Sequence, residues 1–262
     1  MTTLEIHQFA CLKDNYGVLV HDAAAGLTAA IDAPEAEPVR RALREKGWKL
    51  THILVTHHHA DHTQGIEPLK AETRALVIGP KAEASRIKGL DQTVGGGDTF
   101  AFGGSEIRVI DTPGHTAGHI TYWIPSARVA FAGDTLFAIG CGRVIEGSME
   151  TMWRSLEKLA ALPPETEVYC GHEYTLSNAR FALTIEPENE ALKRRAAEVE
   201  KQVAAGRATL PTRIGIELET NPFLRPQSPA IRRRLGLENA ADWQVFGAGR
   251  GVRLLLAGRA GF

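Results

Sequence analysis

The chain is poor in cysteine, in long apolar runs and in net charge, and each scarcity removes a class of protein. Its three cysteines, Cys11, Cys141 and Cys170, are odd in number and lack CxxC or zinc-ribbon spacing. That excludes a disulfide scaffold and leads us to expect reduced thiols in a cytoplasmic compartment. No stretch reaches the ~18 uncharged apolar residues of a membrane-spanning helix. Met1 to Ala10 carries Glu5 and His7 where a signal peptide would be apolar. The expectation is a soluble, untargeted chain with no membrane partner. Aromatic residues make up only 6% and the net charge is −1, unlike the basic, aromatic-studded surface of a nucleic-acid binder, so no nucleic-acid partner is expected.

What is present is an ordinary globular composition of 262 residues, 44% of them hydrophobic, enough for one large domain or a domain with an appendage. Charge is unevenly placed. Residues 1–175 hold 22 acidic against 16 basic side chains, whereas residues 176–262 hold 14 basic against 9 acidic. The plain reading of the basic third is a set of solvated helix faces; the sharper one is a site for a small anion.

Short β runs dominate the first two thirds. Leu4 to Phe9 and Tyr16 to Val20 flank a turn and predict a hairpin; further strands are predicted at 29–31, 52–55, 75–78, 99–102, 107–110, 120–124, 129–132 and 168–170. Helices are predicted at 37–46 and 149–162. From Ser177 the periodicity turns helical, with segments at 178–185, 189–205 and 228–235. This change places a boundary near residues 173–178. The glycine clusters at 95–97 and 103–104 lack phosphate-loop spacing and read as turns.

Four of the ten histidines fall within Thr56-His57-His58-His59-Ala60-Asp61-His62, directly after an apolar strand. So many imidazoles in one loop call for a partner that uses nitrogen lone pairs, and a divalent metal is that partner. His57 and His59 can share one side of an extended loop while Asp61 and His62 turn toward a second position. Further ligands stand just past β runs: His115 after Pro113-Gly114, Asp134 after Gly133, and His172 after Gly171.

The pattern T-H-x-H-x-D-H, P-G-H, G-D-T and G-H resembles the metallo-β-lactamase superfamily. Asp14-Asn15-Tyr16, Gly133-Asp134-Thr135-Leu136-Phe137, Gly140-Cys141-Gly142-Arg143, Cys170 to Thr175 and Asn221 to Arg225 make nearly the whole chain similar to the glyoxalase II family, the hydroxyacylglutathione hydrolases. The resemblance implies an α+β fold, a four-layered αβ/βα sandwich over residues 1–175, followed by a helical, glutathione-binding domain over 176–262. It implies His57, His59, His115 and Asp134 around one metal, and Asp61, His62, Asp134 and His172 around the other, with Asp134 shared. Two divalent ions are expected, zinc first, with iron or manganese as alternatives. The implied reaction is hydrolysis of S-D-lactoylglutathione to glutathione and D-lactate by a hydroxide bridging the two ions.

The same resemblance assigns substrate contacts to Arg143, Tyr174, Arg250 and Arg253. Two departures stand beside them: Ile145 where the family often has tyrosine, and an apolar ending from Leu254 to Phe262. A monomer acting on a small-molecule acylglutathione is expected. Outside the ligand set, His58 reads as locally hydrogen-bonded and His119 as structural. Asp61 reads as a ligand rather than a general base, Cys141 as a non-nucleophile, and Asp32 and Asp111 as carboxylates that orient ligand imidazoles. The competing readings are a mononuclear iron persulfide dioxygenase of the same superfamily, which lacks a long helical C-terminal domain, a metal-dependent nuclease, and a fold retained without turnover.

Overall fold

The computed structural model describes the backbone of residues 4–260 and side chains through Arg253; the side chains of the apolar ending from Leu254 to Phe262 lie outside the described residues. One six-stranded sheet runs in the order β1 (Leu4–Cys11), β2 (Asn15–Asp22), β3 (Leu27–Ile31), β4 (His52–Leu54), β5 (Leu76–Pro80) and β6 (Gln92–Val94). Its first three strands are an antiparallel meander and the rest add in parallel. The crossovers are α1 (Ala36–Lys46) before β4, and α2 (Ala60–Thr63) with α3 (Ile66–Thr73) after it.

The second sheet contains β7 (Thr99–Phe102), β8 (Ser105–Asp111), β9 (Ile120–Ile124) and β10 (Val129–Gly133). A small hairpin, β11 (Leu136–Phe137) and β12 (Gly140–Cys141), and the helix α4 (Met149–Ala160) follow. The sheet is completed by β13 (Glu167–Cys170), parallel to β10, and β14 (Thr212–Arg213). The remaining helices are α5 (Thr175–Ile185), α6 (Glu190–Ala204), α7 (Ile214–Thr220), α8 (Pro229–Leu235) and α9 (Asp242–Ala260).

Strand alternation decides the layers. Val18 and Val20 of β2 point into the space between the sheets, where they meet Phe102, Ile107, Tyr122 and Phe131. Leu19, between them in sequence, faces the other way and joins Val39 and Leu43 of α1 and Ile66 and Leu69 of α3. On the outer face of the second sheet, Ala130, Ala132 and Val168 pack against Trp153 and Leu156 of α4, Ile214 of α7 and Phe246 of α9. The result is a helix–sheet–sheet–helix sandwich, with each large apolar side chain contributing about 1.5–3 kcal/mol by burial. α4 begins where Ser148 accepts the Thr151 N–H, a cap worth about 1 kcal/mol.

Four helices have no counterpart in the sequence periodicity: the one-turn α2 within the histidine segment, and α3, α7 and α9. α3 carries Pro68, α7 reads Ile-Gly-Ile with a strand-like alternation, and α9 contains Gly247, Gly249 and Gly251, each a weak helix former. Their apolar contacts with the sandwich override local propensity. Among the described residues no helix is long and apolar enough to cross a membrane.

Candidate metal centre

The site lies at the end of the sandwich where β4, β8, β10 and β13 finish. β4 leads into an extended segment that carries His57 and His59, and α2 then turns Asp61 and His62 inward. His115 comes from the β8–β9 loop, Asp134 from just beyond β10, and His172 from just beyond β13. Gly133 adopts φ +46, and a Cβ there would lie 2.6 Å from His119 Nε2. A Cβ on Gly171 would stand 2.6 Å from Asp134 Oδ1 and from His62 Cε1. Glycine at both positions lets the backbone close on the donors.

The seven predicted ligands converge. His59 Nδ1 is 3.2 Å from His57 Nε2 and 3.0 Å from His115 Nε2. Asp134 Oδ2 is 3.3 Å from His115 Nε2 and 3.4 Å from His172 Nε2, and its Oδ1 is 3.4 Å from His62 Nε2. Asp61 Oδ2 is 3.5 Å from His172 Nε2 and 3.8 Å from His62 Nε2. Donors bound tetrahedrally at roughly 2.0–2.1 Å stand about 3.3–3.4 Å apart. These donor spacings therefore suit two neighbouring cation positions, with Asp134 facing both. Among the described residues His62 Nε2 and Asp134 Oδ1 are buried without a hydrogen-bond partner, as expected of lone pairs meant for a cation.

Four of the five ligand rings, those of His57, His62, His115 and His172, are held through Nδ1. His62 Nδ1 donates to Asp32 Oδ2 at 2.8 Å, His172 Nδ1 to Asp14 Oδ1 at 3.0 Å, and His115 Nδ1 to the Arg143 carbonyl at 2.9 Å. His57 Nδ1 is 3.0 Å from the Thr56 hydroxyl, which donates to Asp32 Oδ2 at 2.9 Å. With Nδ1 protonated, Nε2 presents its lone pair to the centre. Asp32 holds φ 57 at the end of β3 and serves both His62 and Thr56. Asn15 Nδ2 donates to Asp61 Oδ2 at 3.2 Å.

The electrostatics divide the ligands. Burial holds His57 far below its ordinary pKa and, with neighbouring imidazoles, lowers His59 and His115, so all three are neutral near pH 7. Burial would lower His62 too, but Asp134, Asp32 and Asp61 outweigh it and raise it to about 9. His172 is raised likewise by Asp134 and Asp14 against its burial. Burial opposes the ionised form of Asp134, yet His62, His172 and His115 hold its carboxyl well below the ordinary range. The carboxylates of Asp14, Asp32, Asp61 and Asp134 thus attract positive charge to this point.

The remaining sequence candidates fall into place by contact. His58 turns away from the donors and its Nδ1 donates to Glu83 at 2.8 Å. His119 Nε2 accepts the Asp134 N–H at 3.0 Å, which leaves its Nδ1–H for the hydroxyls of Thr112 and Thr135. It steadies Asp134 from outside the donor set. Asp61 has a lowered pKa, with His62 and Asn15 offsetting its burial, as suits a ligand rather than a base. Asp111 does not orient a ligand: it is exposed and accepts the Gly96 N–H at 2.7 Å, because β8 ends before the loop turns inward to His115. Cys141 is buried and its thiol raised by that burial.

Tyr174 stacks on His172 with ring centroids 4.8 Å apart and planes 4° from parallel. Arg143 is exposed beside the centre, its carbonyl fixed by His115. Arg250 is only 3% exposed, lies over the Phe223 ring at 5.4 Å and donates from Nη1 to the Cys141 carbonyl at 3.4 Å. Arg253 lies over Phe181 at 5.5 Å. Among the described residues Arg250 Nε and Arg253 Nη1 have no hydrogen-bond partner. Sequence reasoning assigns no role to Asp14, Asn15, Thr56 or Glu83; of these, the Asp14-Asn15 pair alone stands in one of the segments that set the glyoxalase II family apart.

The sandwich and the converging donors define a member of the metallo-β-lactamase superfamily, whose family model matches residues 17–172. Residues 173–253 match the model described as the hydroxyacylglutathione hydrolase C-terminus. A hydroxyacylglutathione hydrolase from Brucella anthropi is 58% identical over 93% of this chain and 94% of its own length. The crystal structure of ETHE1 from Myxococcus xanthus superposes with a TM-score of 0.66 at 27% identity, covering 98% of each chain. A protein crystallised in a di-iron-bound form superposes with a TM-score of 0.60 at 23% identity, over 84% of this chain and 100% of its own. The chain belongs to the hydroxyacylglutathione hydrolase family.

Proposed function

We propose that the chain is a thioester hydrolase that cleaves S-D-lactoylglutathione to glutathione and D-lactate at a centre holding two divalent ions, zinc in the first instance. The observation that carries this reading is the convergence of seven donors at ligand spacing in a chain whose C-terminal part matches the hydroxyacylglutathione hydrolase model. His57, His59 and His115 would hold one ion, and Asp61, His62 and His172 the other, with Asp134 reaching both. Bound there, the ions would supply a water-derived nucleophile at neutral pH and positive charge for the carbonyl under attack.

The chain's own groups do the rest. Asp32, Asp14 and the Arg143 carbonyl keep the imidazoles aimed and in the right tautomer. The thiol leaving group has a pKa of about 8.5 and departs without a dedicated acid, which fits a site whose carboxyls are held ionised. Glutathione brings two carboxylates. Arg143 at the mouth, Tyr174 against His172, and Arg250 and Arg253 on α9 are the contacts we assign to it. We place the domain boundary at residues 175 and 176 and read the protein as a cytoplasmic monomer.

The test is elemental analysis of the purified chain beside hydrolysis of lactoylglutathione. Two metal equivalents per chain and loss of thioester absorbance are expected, with activity removed by chelation and restored by added zinc. A metal-loaded chain that leaves every acylglutathione intact would contradict the proposal.

A further inference from the structure

Glu83 lies in the short 3-10 helix Lys81–Arg86 that follows β5, far from every sequence motif, and is 1% exposed. No Lys or Arg reaches its carboxylate among the described residues. Its compensation is different: Oε2 accepts the His58 N–H at 2.7 Å and the His58 ring N–H at 2.8 Å, and Oε1 accepts the Gly118 N–H at 2.9 Å. His58 stands between the ligands His57 and His59, and Gly118 closes the loop that carries His115. One carboxylate therefore ties the ligand loop of the first sheet to that of the second.

From this geometry we infer that Glu83 is a positioning residue, a clamp that sets the separation of His57 and His59 from His115. The inference rests on the metal reading above. An ionised carboxylate is acceptor-only, so both oxygens can take backbone N–H groups. Glutamine of the same size cannot serve, because its amide NH2 would face a second N–H. The packing agrees: a Cβ on Gly118 would lie 2.6 Å from Glu83 Cγ and 2.7 Å from Ala82 Cβ, so glycine admits the close approach. The backbone bond from Ile120 N–H to the Thr56 carbonyl joins the loops nearer the strands, leaving the donor-bearing residues to Glu83.

Glu146 is near the same histidine, its Oε1 3.8 Å from His58 Nε2, but it is engaged by Arg86 at 2.6 Å and by the Ala117 N–H at 2.9 Å. With the oxygens of Glu83 also committed to N–H donors, the three side chains form a brace and not a third cation site.

The test compares Glu83→Gln with the wild-type full chain by zinc competition against a chromophoric chelator, melting of the metal-free form, and kcat and KM. The expected result is zinc binding weakened by roughly 10–100-fold, the range for losing a partner that orients ligands. kcat should fall with it, recover in part in excess zinc, and leave KM within about twofold. Gly118→Ala, which pushes Glu83 away, should shift affinity in the same direction and carries the test if Glu83→Gln does not fold. Ile87→Ala loosens the same segment without touching either loop, and should lower the melting temperature while leaving zinc affinity unchanged. Wild-type affinity in Glu83→Gln and Gly118→Ala, the same loss in Ile87→Ala, or loss of a third metal alone would overturn the clamp. A wild-type chain that takes up no zinc would instead remove the reading on which it rests.

Discussion

The metal centre and the arginine pair on α9 are both buried polar clusters, yet they are finished in opposite ways. At the centre, His57, His62, His115 and His172 each have Nδ1 anchored and Nε2 pointing at other lone pairs, with carboxylates crowding in. At α9, two guanidiniums lie over aromatic rings, with no carboxylate paired to either among the described residues and with nitrogens unpartnered. Burial and mutual repulsion push Arg253 below its usual pKa. The first cluster turns lone pairs inward and the second turns N–H donors inward. The proposed substrate, an anionic thioester attacked near cations, would engage both.

The largest effect is expected at Asp134. Asp134→Ala removes the carboxylate shared by both positions, and kcat should fall at least about 10²–10³-fold, the scale of losing one preorganised charge. Metal content should drop with it; full turnover in a metal-poor variant would refute the shared role. Next comes Asp32→Ala, which frees the His62 ring and the Thr56 hydroxyl. Metal affinity should weaken by roughly 10–100-fold, read by chelator competition, while KM is little changed.

Arg250→Met probes the other cluster. A charge-assisted hydrogen bond is worth about 1.5–3 kcal/mol, so KM for lactoylglutathione should rise about 10-fold or more with metal content unchanged. The melting temperature of the ligand-free chain should hold or rise, because a buried cation without a counter-ion is replaced by an apolar side chain. A lower melting temperature with unchanged KM would make Arg250 a structural residue.

The smallest effect is expected at the mouth. Ile145 is 49% exposed, and its N–H bonds the Gly114 carbonyl beside His115. Ile145→Tyr restores a hydroxyl, and a neutral hydrogen bond of about 0.5–1.5 kcal/mol corresponds to a KM lower by roughly 2–10-fold. An unchanged KM would place this side chain outside the glutathione path.

His62 is raised to about 9, so it carries a second ring proton at pH 7 in the metal-free chain, and Asp134 and Asp14 shift His172 toward holding its own. A metal must displace them, and affinity should increase as pH rises toward 9. Calorimetry in two buffers of different ionisation enthalpy should register proton release on zinc binding at pH 7. Uptake of zinc with no proton release would contradict the assignment of His62 as a ligand.

The ligand set is legible in the sequence because imidazoles clustered behind an apolar strand cannot all be satisfied by packing and local hydrogen bonds, and because strand-end glycines mark where a chain turns. Asp32 is legible as a strand-end carboxylate. The same logic fails at Asp111, since a strand end says nothing about which way the next loop turns. Asp14 and Glu83 escape because their roles are tertiary: Asp14 reaches His172 across 158 positions, and Glu83 meets His58 across 25. The αβ/βα layering comes from resemblance, while α9 is hidden by its glycines and emerges only through Phe246 packing on Trp153 and Phe223.

Anomalous diffraction at the zinc edge from crystals of the metal-loaded chain would locate the bound ions. Two peaks are expected, one ringed by His57, His59 and His115 and the other by Asp61, His62 and His172, with Asp134 between them. A single peak, or peaks that leave His172 or Asp134 uncoordinated, would contradict the paired centre.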